Sequence, residues 1–355
     1  MRNPRQSFGL RQIISCVLVI VLTLTLLPLL QAKSVAPLQS QQSPSFPNWT
    51  AWQAYVTNLT TPGGCWVANF PNAVWQPTRC GTPRTEPMTV GSGVYDMSGH
   101  DWDALAPSGK IIGRSIGTLS TSGLTSENVG GWANSYSLQI NSNYGNTFGF
   151  PVTFHGKSVP GGGWQQFIYL NLPSPPNPSS FGEVYIEYWL LGYYAAYGKC
   201  PPASQDPPGG GTGWLNNANT DCYLNTAPVD TPFEPATNLG LLTFIGFANS
   251  HPEDGATLCI SGGACYLDAV NGKPGALNLY KHWSESEFNV LGNCCATQAI
   301  FNSGTTIHVK NTLQEAGKPF GLATCHSGGA TAETNNLNLG SCSSGKTYIS
   351  FTESN

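Results

Sequence analysis

Hydrophobic and polar residues alternate in short runs along most of this chain. The run SYSLQINSN, residues 135–143, places Tyr136, Leu138 and Ile140 on one side of an extended strand. Similar runs recur further along: GWQQFIYLNL, EVYIEYWLLGY, NLGLLTFIGFANS, ESEFNVLG, TTIHVKNTL and KTYISFTES. No window repeats every 3.6 residues between helix-capping signals, so we expect little helix. Many strands joined by loops of very different lengths predict an all-β, two-sheet antiparallel sandwich or jelly roll of the concanavalin-like kind.

Three of these strands carry amide or carboxylate groups beside aromatic rings. In EVYIEYWLL, Tyr185, Glu187 and Trp189 share one face, opposite an apolar face. In GWQQFIYL, Gln165 and Gln166 lie on opposite faces, because successive side chains alternate. The strand SESEFNV turns three polar residues away from its apolar face: Glu285, Glu287 and Asn289. These faces are either ordinary solvated sheet surfaces or a concave surface that binds an extended polymer.

The N-terminus has the pattern of a secretory signal. Arg2, Arg5 and Arg11 precede the apolar run IISCVLVIVLTLTLLPLL, and cleavage is expected after Ala32 or Ala36. An uncleaved membrane anchor is the alternative, because the run is nearly long enough to span a bilayer. The predicted organisation is a signal peptide (1–32), a Pro-rich linker (33–60), a small disulfide loop segment (61–89) and a β-sandwich domain (90–355). The chain is therefore expected to be secreted.

The cysteine count agrees with export. Of eleven cysteines, Cys16 lies in the leader, and the other ten are an even number, as in a disulfide framework. Neighbours in sequence predict five pairs: Cys65–Cys80, Cys200–Cys222, Cys259–Cys265, Cys294–Cys295 and Cys325–Cys342. The two adjacent cysteines could instead bridge to two different loops.

The charge content narrows the classes of function. Charged residues make up 10% of the chain, against about 25% in an average soluble domain. The net charge of −4 provides no basic stripe for phosphates, so nucleic acid is not an expected partner. No C-x-x-C pair occurs, and the six histidines lack H-E-x-x-H spacing. The sequence therefore predicts no metal site and no cofactor.

Two short motifs have simpler interpretations than the functions they suggest. GRSIG, from Gly113 to Gly117, fits the G-x-S-x-G pattern of serine hydrolases, but no helix is predicted after its serine. In YDMSGHDWD, Asp96, Asp101 and Asp103 could hold Ca²⁺, although an Asp-rich turn explains the same residues. Neither motif changes the predicted class of protein.

Several of the strands resemble those of the glutamic peptidases, both the eqolisin type from fungi and the neprosin type from plants. WQQFIYL resembles the eqolisin strand that carries the catalytic Gln, and VYIEYWLLGY is similar to that family's aromatic YEWYP strand. SESEFNV, followed by AIFNSGTTIHVKNTL, resembles the paired strands that carry or neighbour the catalytic Glu. The likeness covers roughly residues 135–315. The chain also resembles uncharacterised secreted bacterial proteins with SLQ, WQQF and EFNV strands.

The resemblance implies a secreted, acid-active β-sandwich endopeptidase with its active site on the concave face of a sheet. It implies that Glu287 is the general base and that Gln166 or Gln165 stabilises the oxyanion. Glu187 would be a neighbouring carboxylate that tunes the site or binds substrate. The residues expected to bind the extended substrate are Tyr185, Trp189, Trp164, Glu285 and Asn289.

Two other functions would use the same strands. A non-catalytic, lectin-like domain would stack sugar rings on Tyr185 and Trp189 and would need no acidic pair. A glycoside hydrolase would use Glu187 and Glu287 as its two carboxylates, about 5 to 10 Å apart across one groove. The expected partner is thus an extended peptide or a glycan, with no membrane contact beyond an uncleaved N-terminal anchor.

Overall fold

A computed structural model of the chain describes residues 45–88, 101–143, 149–173, 181–206, 211–249, 253–271, 277–315, 318–319, 321–329 and 331–355. The predicted leader 1–32, with Cys16, lies outside these residues, as do the first part of the predicted linker and Asp96. Within the described ranges, no helix is both long and apolar enough to cross a membrane.

Strands dominate the described residues, as the alternation predicts. The first half of the chain contains β1 (Gly64–Asn69), β2 (Gln76–Pro77), β3 (Asp101–Leu105), β4 (Arg114–Ser122), β5 (Glu127–Val129), β6 (Trp132–Ala133), β7 (Tyr136–Asn143), β8 (Thr153–Phe154), β9 (Lys157–Ser158), β10 (Gly163–Leu172), β11 (Phe181–Leu190), β12 (Leu215–Asn217) and β13 (Asp221–Asn225). The second half contains β14 (Val229–Pro232), β15 (Leu242–Asn249), β16 (Glu253–Ile260), β17 (Ala264–Asn271), β18 (Glu285–Gly292), β19 (Gln298–Phe301), β20 (Thr306–Glu315), β21 (Lys318–Pro319), β22 (Thr324–Gly328), β23 (Thr334–Asn335), β24 (Asn338–Leu339), β25 (Ser343–Ser344) and β26 (Tyr348–Ser354).

Helical segments are few and short. The described residues include the α-helices α1 (Trp49–Val56) and α2 (Tyr193–Tyr197) and the 3₁₀ turns Ala203–Gln205, Ala236–Leu241 and Leu279–Lys281. The all-β, sandwich-like fold expected from the alternation is therefore confirmed.

Among the described residues the strands form two large antiparallel sheets and two small ones. The eleven-stranded sheet has the order β2-β1-β17-β16-β15-β4-β20-β26-β24, with β21 beside β20 and β25 beside β26. The nine-stranded sheet has the order β12-β13-β11-β10-β7-β18-β3-β22, with β14 beside β11. The small sheets are β23-β19-β5-β6 and β8-β9. Strands distant in sequence, such as β7 and β18, are thus neighbours in space.

The two large sheets pack face to face around aromatic rings. Phe288 of the nine-stranded sheet lies against Gly117, and Phe167 lies against Gly246. A Cβ atom at either glycine would overlap the ring, so the absence of a side chain there sets the close approach of the sheets. The face of the nine-stranded sheet that carries Phe167 and Phe288 is called the core face below, and the opposite face is called the site face.

Part of the predicted linker 33–60 is helical rather than extended. Asn48 caps α1, accepting a hydrogen bond from the Ala51 backbone N at 2.9 Å. Trp52 and Val56, four residues apart, are buried in one cluster with Phe247 of the eleven-stranded sheet. The helix has only about two turns. Its hydrophobic period is therefore too short to be recognised in the sequence of a segment that otherwise resembles a Pro-rich linker.

Part of the segment 61–89, predicted as a small disulfide loop, belongs to the eleven-stranded sheet through β1 and β2. Its strand β1 pairs antiparallel with β17 along six residues, from Gly64 opposite Ala269 to Asn69 opposite Ala264. The sheet therefore begins well before residue 90.

Five disulfide bonds are present, with the pairing predicted from neighbours in sequence. They are Cys65–Cys80, Cys200–Cys222, Cys259–Cys265, Cys294–Cys295 and Cys325–Cys342. The two adjacent cysteines are joined to each other rather than to separate loops.

The serine of the GRSIG match lies within a strand. Ser115 is fully buried in β4, where it donates to Asn311 Oδ1 at 2.7 Å and accepts from Ser286 Oγ at 2.9 Å. It links the two sheets and is not raised on a strand-to-helix turn, as a serine nucleophile of that type would be.

Candidate active site

One row of side chains on the site face is polar across seven adjacent strands, from β13 to β22. Strand register places these residues directly opposite one another, so they project from the same face. This polar row consists of Asn225, Glu187, Gln166, Asn141, Glu287, Asp103 and His326. Three of the predicted catalytic residues therefore lie in one line.

Hydrogen bonds connect the middle of the polar row. Asn141 Nδ2 donates to Glu287 Oε2 at 2.7 Å, and Gln166 Nε2 donates to Asn141 Oδ1 at 3.1 Å. Gln166 Nε2 also donates to Gln139 Oε1 at 3.3 Å. Asn141 thus lies on β7, between the strands of Gln166 and Glu287, and its hydrogen bonds orient both side chains. The sequence analysis overlooked Asn141, although the alternation of β7 turns it away from Leu138 and Ile140.

Glu187 is held in a fully buried position. Its carboxylate accepts hydrogen bonds from the Met88 backbone N at 3.0 Å and from Trp189 Nε1 at 2.8 Å. Burial raises the pKa of Glu187 to about 8, and these two hydrogen bonds offset only part of that effect. Glu187 is therefore protonated at acid and neutral pH and is not suited to act as a base there.

Trp189 connects Glu187 to Gln166. Its indole Nε1 lies 2.8 Å from Glu187 Oε1 and 3.0 Å from Gln166 Oε1, so one N–H is shared between the two acceptors. The amide oxygen of Gln166 therefore faces Trp189, while its nitrogen faces Asn141. This contact fixes which end of the amide points toward Glu287.

The aromatic residues predicted to bind substrate are buried. Trp164, Trp189 and Tyr223 form a stack with ring centroids 5.8 and 5.3 Å apart. Tyr185 is 1% exposed, and its hydroxyl contacts Met88 Sδ. These rings present no face to solvent on which a sugar could stack.

Gln165 lies on the opposite side of the sheet from Gln166. It shares the core face with Phe167, and its side chain lies near Asp254 of the other large sheet, where burial raises the pKa of Asp254 to about 7 and Gln165 offsets a small part of that rise. Its backbone N donates to Ser142 Oγ at 2.9 Å. The structure therefore brings Gln166, and not Gln165, into line with Glu287.

The remaining predicted binding residues belong to an acidic surround. Glu285 is buried and contacts His326 Nδ1. Asn289 Nδ2 donates to Asp101 Oδ2 and Glu353 Oε1, both at 2.8 Å. Burial raises the pKa of Glu353 to about 7. From the sequence, Asp101 is singled out only as a possible Ca²⁺ ligand and Glu353 not at all, because their strands are distant from Asn289 along the chain.

The two ends of the polar row differ in access. Glu287 lines a pocket of about 270 Å³ together with Asp101 and Glu333. The Glu187 end is covered by the segment 84–88, whose carbonyl oxygens at Arg84 and Glu86 accept from Asn225 Nδ2 at 3.0 and 3.1 Å. The row is therefore open beside Glu287 and closed above Glu187.

Glu187 and Glu287 are too far apart to form the carboxylate pair of a glycosidase. Two strands, β10 and β7, separate β11 from β18. Three strand spacings correspond to about 14 Å, whereas such pairs lie roughly 5 to 10 Å apart.

Comparison with known proteins gives a likeness of fold. No family model matches this sequence, and no curated protein sequence matches it. The chain is similar to scytalido-glutamic peptidase in its crystal structure with a transition state analog inhibitor, at a TM-score of 0.33 and 10% identity over 71% of this chain and 97% of that chain. A second crystal structure of scytalido-glutamic peptidase, with a peptide based transition state analog, is similar at a TM-score of 0.30 and 8% identity, with the same coverage.

Proposed function

We propose that this chain is a secreted, glutamic peptidase-like hydrolase that cleaves peptide bonds with Glu287 as general base and Gln166 as oxyanion donor. The observation that carries the proposal is the hydrogen-bonded series Gln166–Asn141–Glu287 on one sheet face, with Glu287 beside a pocket. A carboxylate and an amide held in fixed orientation are the two groups that water attack on a carbonyl requires.

The reaction begins with a water bound beside Glu287. Glu287 accepts a proton from the water as its oxygen adds to the peptide carbonyl carbon. The carbonyl oxygen becomes an oxyanion and accepts a hydrogen bond from Gln166 Nε2. When the tetrahedral intermediate collapses, the C–N bond breaks and Glu287 returns the proton to the leaving amine.

The present contacts of Gln166 indicate how substrate enters this arrangement. Both protons of its Nε2 are directed at acceptors, Asn141 Oδ1 and Gln139 Oε1, and the bond to Gln139 is the longer one at 3.3 Å. A substrate carbonyl would replace Gln139 as acceptor. Because Gln166 is fully buried, an extended substrate reaches it only when the groups that cover it move.

In this proposal Glu187 is a positioning residue. It holds Trp189, which in turn orients the Gln166 amide. Export is supported by the five disulfide bonds, because such bonds persist in oxidising compartments. The buried aromatic rings favour neither glycan stacking nor a lectin-like role.

Incubation with an unfolded protein between pH 3 and 7 tests the proposal. We expect wild-type protein to produce new peptide termini, detected by mass spectrometry, and Glu287→Gln to abolish them. The matched control is Glu127→Gln, which removes a different buried carboxyl, on β5 and outside the polar row. Cleavage that persists in Glu287→Gln, or no cleavage by wild type at any pH, would overturn the proposed function.

A further inference from the structure

A second cluster of potential ligands lies at the edge of the site face, where β3, β18 and β22 meet. Asp103, Glu285 and His326 each offer one ligand atom, and these atoms all lie within 4.8 Å of one another. That spacing is slightly more than twice a metal–ligand bond of about 2.1 Å. One ion could therefore contact all three side chains after small movements.

Buried oxygen atoms around this cluster have no hydrogen-bond donor among the described residues. They are Asp103 Oδ1, Glu285 Oε2 and Asn143 Oδ1. Asn143 is 6% exposed, and its Nδ2 donates to Asp103 Oδ2 at 3.0 Å, which places its carbonyl oxygen beside the same carboxylate. Leaving a buried polar atom without a partner is energetically unfavourable. A single cation would provide a partner for all three oxygens.

We propose that Asp103, Glu285 and His326, assisted by Asn143 Oδ1, bind a divalent cation. Two carboxylates balance the charge of such an ion, and the imidazole Nδ1 supplies a nitrogen ligand. Imidazole favours first-row transition metals such as Zn²⁺ over Ca²⁺ or Mg²⁺, which prefer oxygen ligands alone. The bound ion is therefore expected to be of the zinc class.

Two of the ligands are buried and the third is partly exposed. The ion would therefore have a fixed site and a path to solvent. Asp103 and Glu285 are each 1% exposed, while the His326 side chain is 35% exposed. Ligand exchange would occur on the His326 side.

The position of the site indicates a structural role next to the proposed base. Asp103 is the cross-strand partner of both Glu287 and His326. A cation would attach the edge strand β22 to β3 and β18 and would reduce the repulsion that Glu287 experiences. The histidine and its partners are separated by 41 residues or more, so no local ligand motif marks them in the sequence.

Zinc binding to the disulfide-bonded protein tests this proposal independently of any peptidase activity. After dialysis against EDTA, Zn²⁺ is titrated at pH 7 by isothermal calorimetry, and unfolding is followed with and without the ion. We expect one equivalent of Zn²⁺ per chain, a higher unfolding temperature with Zn²⁺, and at least tenfold weaker binding of Ca²⁺. Thiolates do not compete, because the ten cysteines outside the leader are paired.

Two ligand variants and one control complete the experiment. His326→Ala and Glu285→Gln should each weaken Zn²⁺ binding at least tenfold and remove the thermal shift. His308→Ala, which alters an exposed histidine on the other large sheet, should bind Zn²⁺ as wild type does. Binding of clearly less than one Zn²⁺ per wild-type chain would overturn the proposal and would indicate that Asp103 and Glu285 share a proton instead. Binding of Zn²⁺ to His326→Ala with wild-type affinity would also overturn it.

Discussion

Strands β20 and β18, one from each large sheet, differ in how far their polar side chains are exposed. On β20 of the eleven-stranded sheet, Ile307 and Val309 are buried while His308 and Lys310 are exposed. On β18 of the nine-stranded sheet, all eight residues are buried, including Glu285, Glu287 and Asn289 on the site face. Both strands alternate in sequence, but only one has a covered polar face.

This difference is consistent with the proposal that the site face is the functional one. An exposed His or Lys remains solvated, so its position carries little energetic constraint. A buried carboxylate must find donors or bind a proton, because its charged form is poorly solvated. The hydrogen bonds around Glu187, Glu287 and Asn289 show that the chain satisfies this requirement at many points on one face. Such concentrations of buried acids occur at active sites.

The largest effect is expected when the two neighbouring glutamines are compared. Gln166→Leu removes the oxyanion donor on the site face and should reduce kcat about 100- to 1,000-fold. Gln165→Leu removes a glutamine amide that is equally buried but lies on the core face, and should retain kcat per folded molecule. Steady-state cleavage of an unfolded substrate, with folded fractions checked by circular dichroism, measures both. Equal losses of kcat in the two variants would contradict the role proposed for Gln166 on the site face.

The stability of the whole protein should depend on pH in an unusual direction. Burial raises the pKa of Glu187 to about 8 and of Glu353 to about 7, whereas unfolded carboxyls of this type titrate near 4.5. Between pH 4.5 and 8 the folded state therefore holds more protons than the unfolded state, so the free energy of unfolding falls as pH rises. At about 1.4 kcal/mol per pKa unit of difference, the expected decrease is several kcal/mol.

Urea denaturation at pH 4.5, 6 and 8, in the presence of EDTA, checks this expectation. In Glu187→Gln the decrease should be smaller, because the substituted amide does not titrate. If the free energy of unfolding of the wild type rose over the same pH range, Glu187 and Glu353 would not be holding extra protons in the folded state.

An intermediate effect is expected for the amide that connects two acids. Asn289→Ala leaves Asp101 Oδ2 and Glu353 Oε1 without the donor they share, and should lower the free energy of unfolding by about 2 kcal/mol. It should also raise the pKa of Glu353, because Asn289 lowers it. Denaturation curves at pH 6 measure the first effect. Asn128→Ala, at an exposed strand position, is the matched control and should change little.

The smallest effect is expected on the outward face of the eleven-stranded sheet. His308 is exposed there and shares a 2.8 Å hydrogen bond with Thr352 Oγ1. His308→Ala should change the free energy of unfolding by no more than about 0.5 kcal/mol, as for most surface substitutions. Thermal unfolding of this variant checks the value. If His308→Ala lowered the free energy of unfolding as much as Asn289→Ala does, the outward face of the eleven-stranded sheet would not differ from the site face in this respect.

Much of the local structure could be predicted because strand alternation depends only on neighbouring residues. The faces assigned to Gln166, Glu187 and Glu287 are those found, and the disulfides join the expected neighbours. The helix α1 was missed because eight residues give too little period to detect. Asn141 was missed because its importance depends on β7 lying between β10 and β18, which local pattern does not reveal.

The sequence by itself determined that this is a β-rich, disulfide-containing chain whose strands each carry one polar face. Those properties follow from the two-residue period of the strand and from cysteines close together in the chain. Only the tertiary structure decided that residues 146 positions apart, Asn141 and Glu287, share a hydrogen bond, and that segment 84–88 covers Glu187. Strand order and burial decide these contacts, and both depend on long-range packing, which the local alternation of hydrophobic and polar residues does not specify.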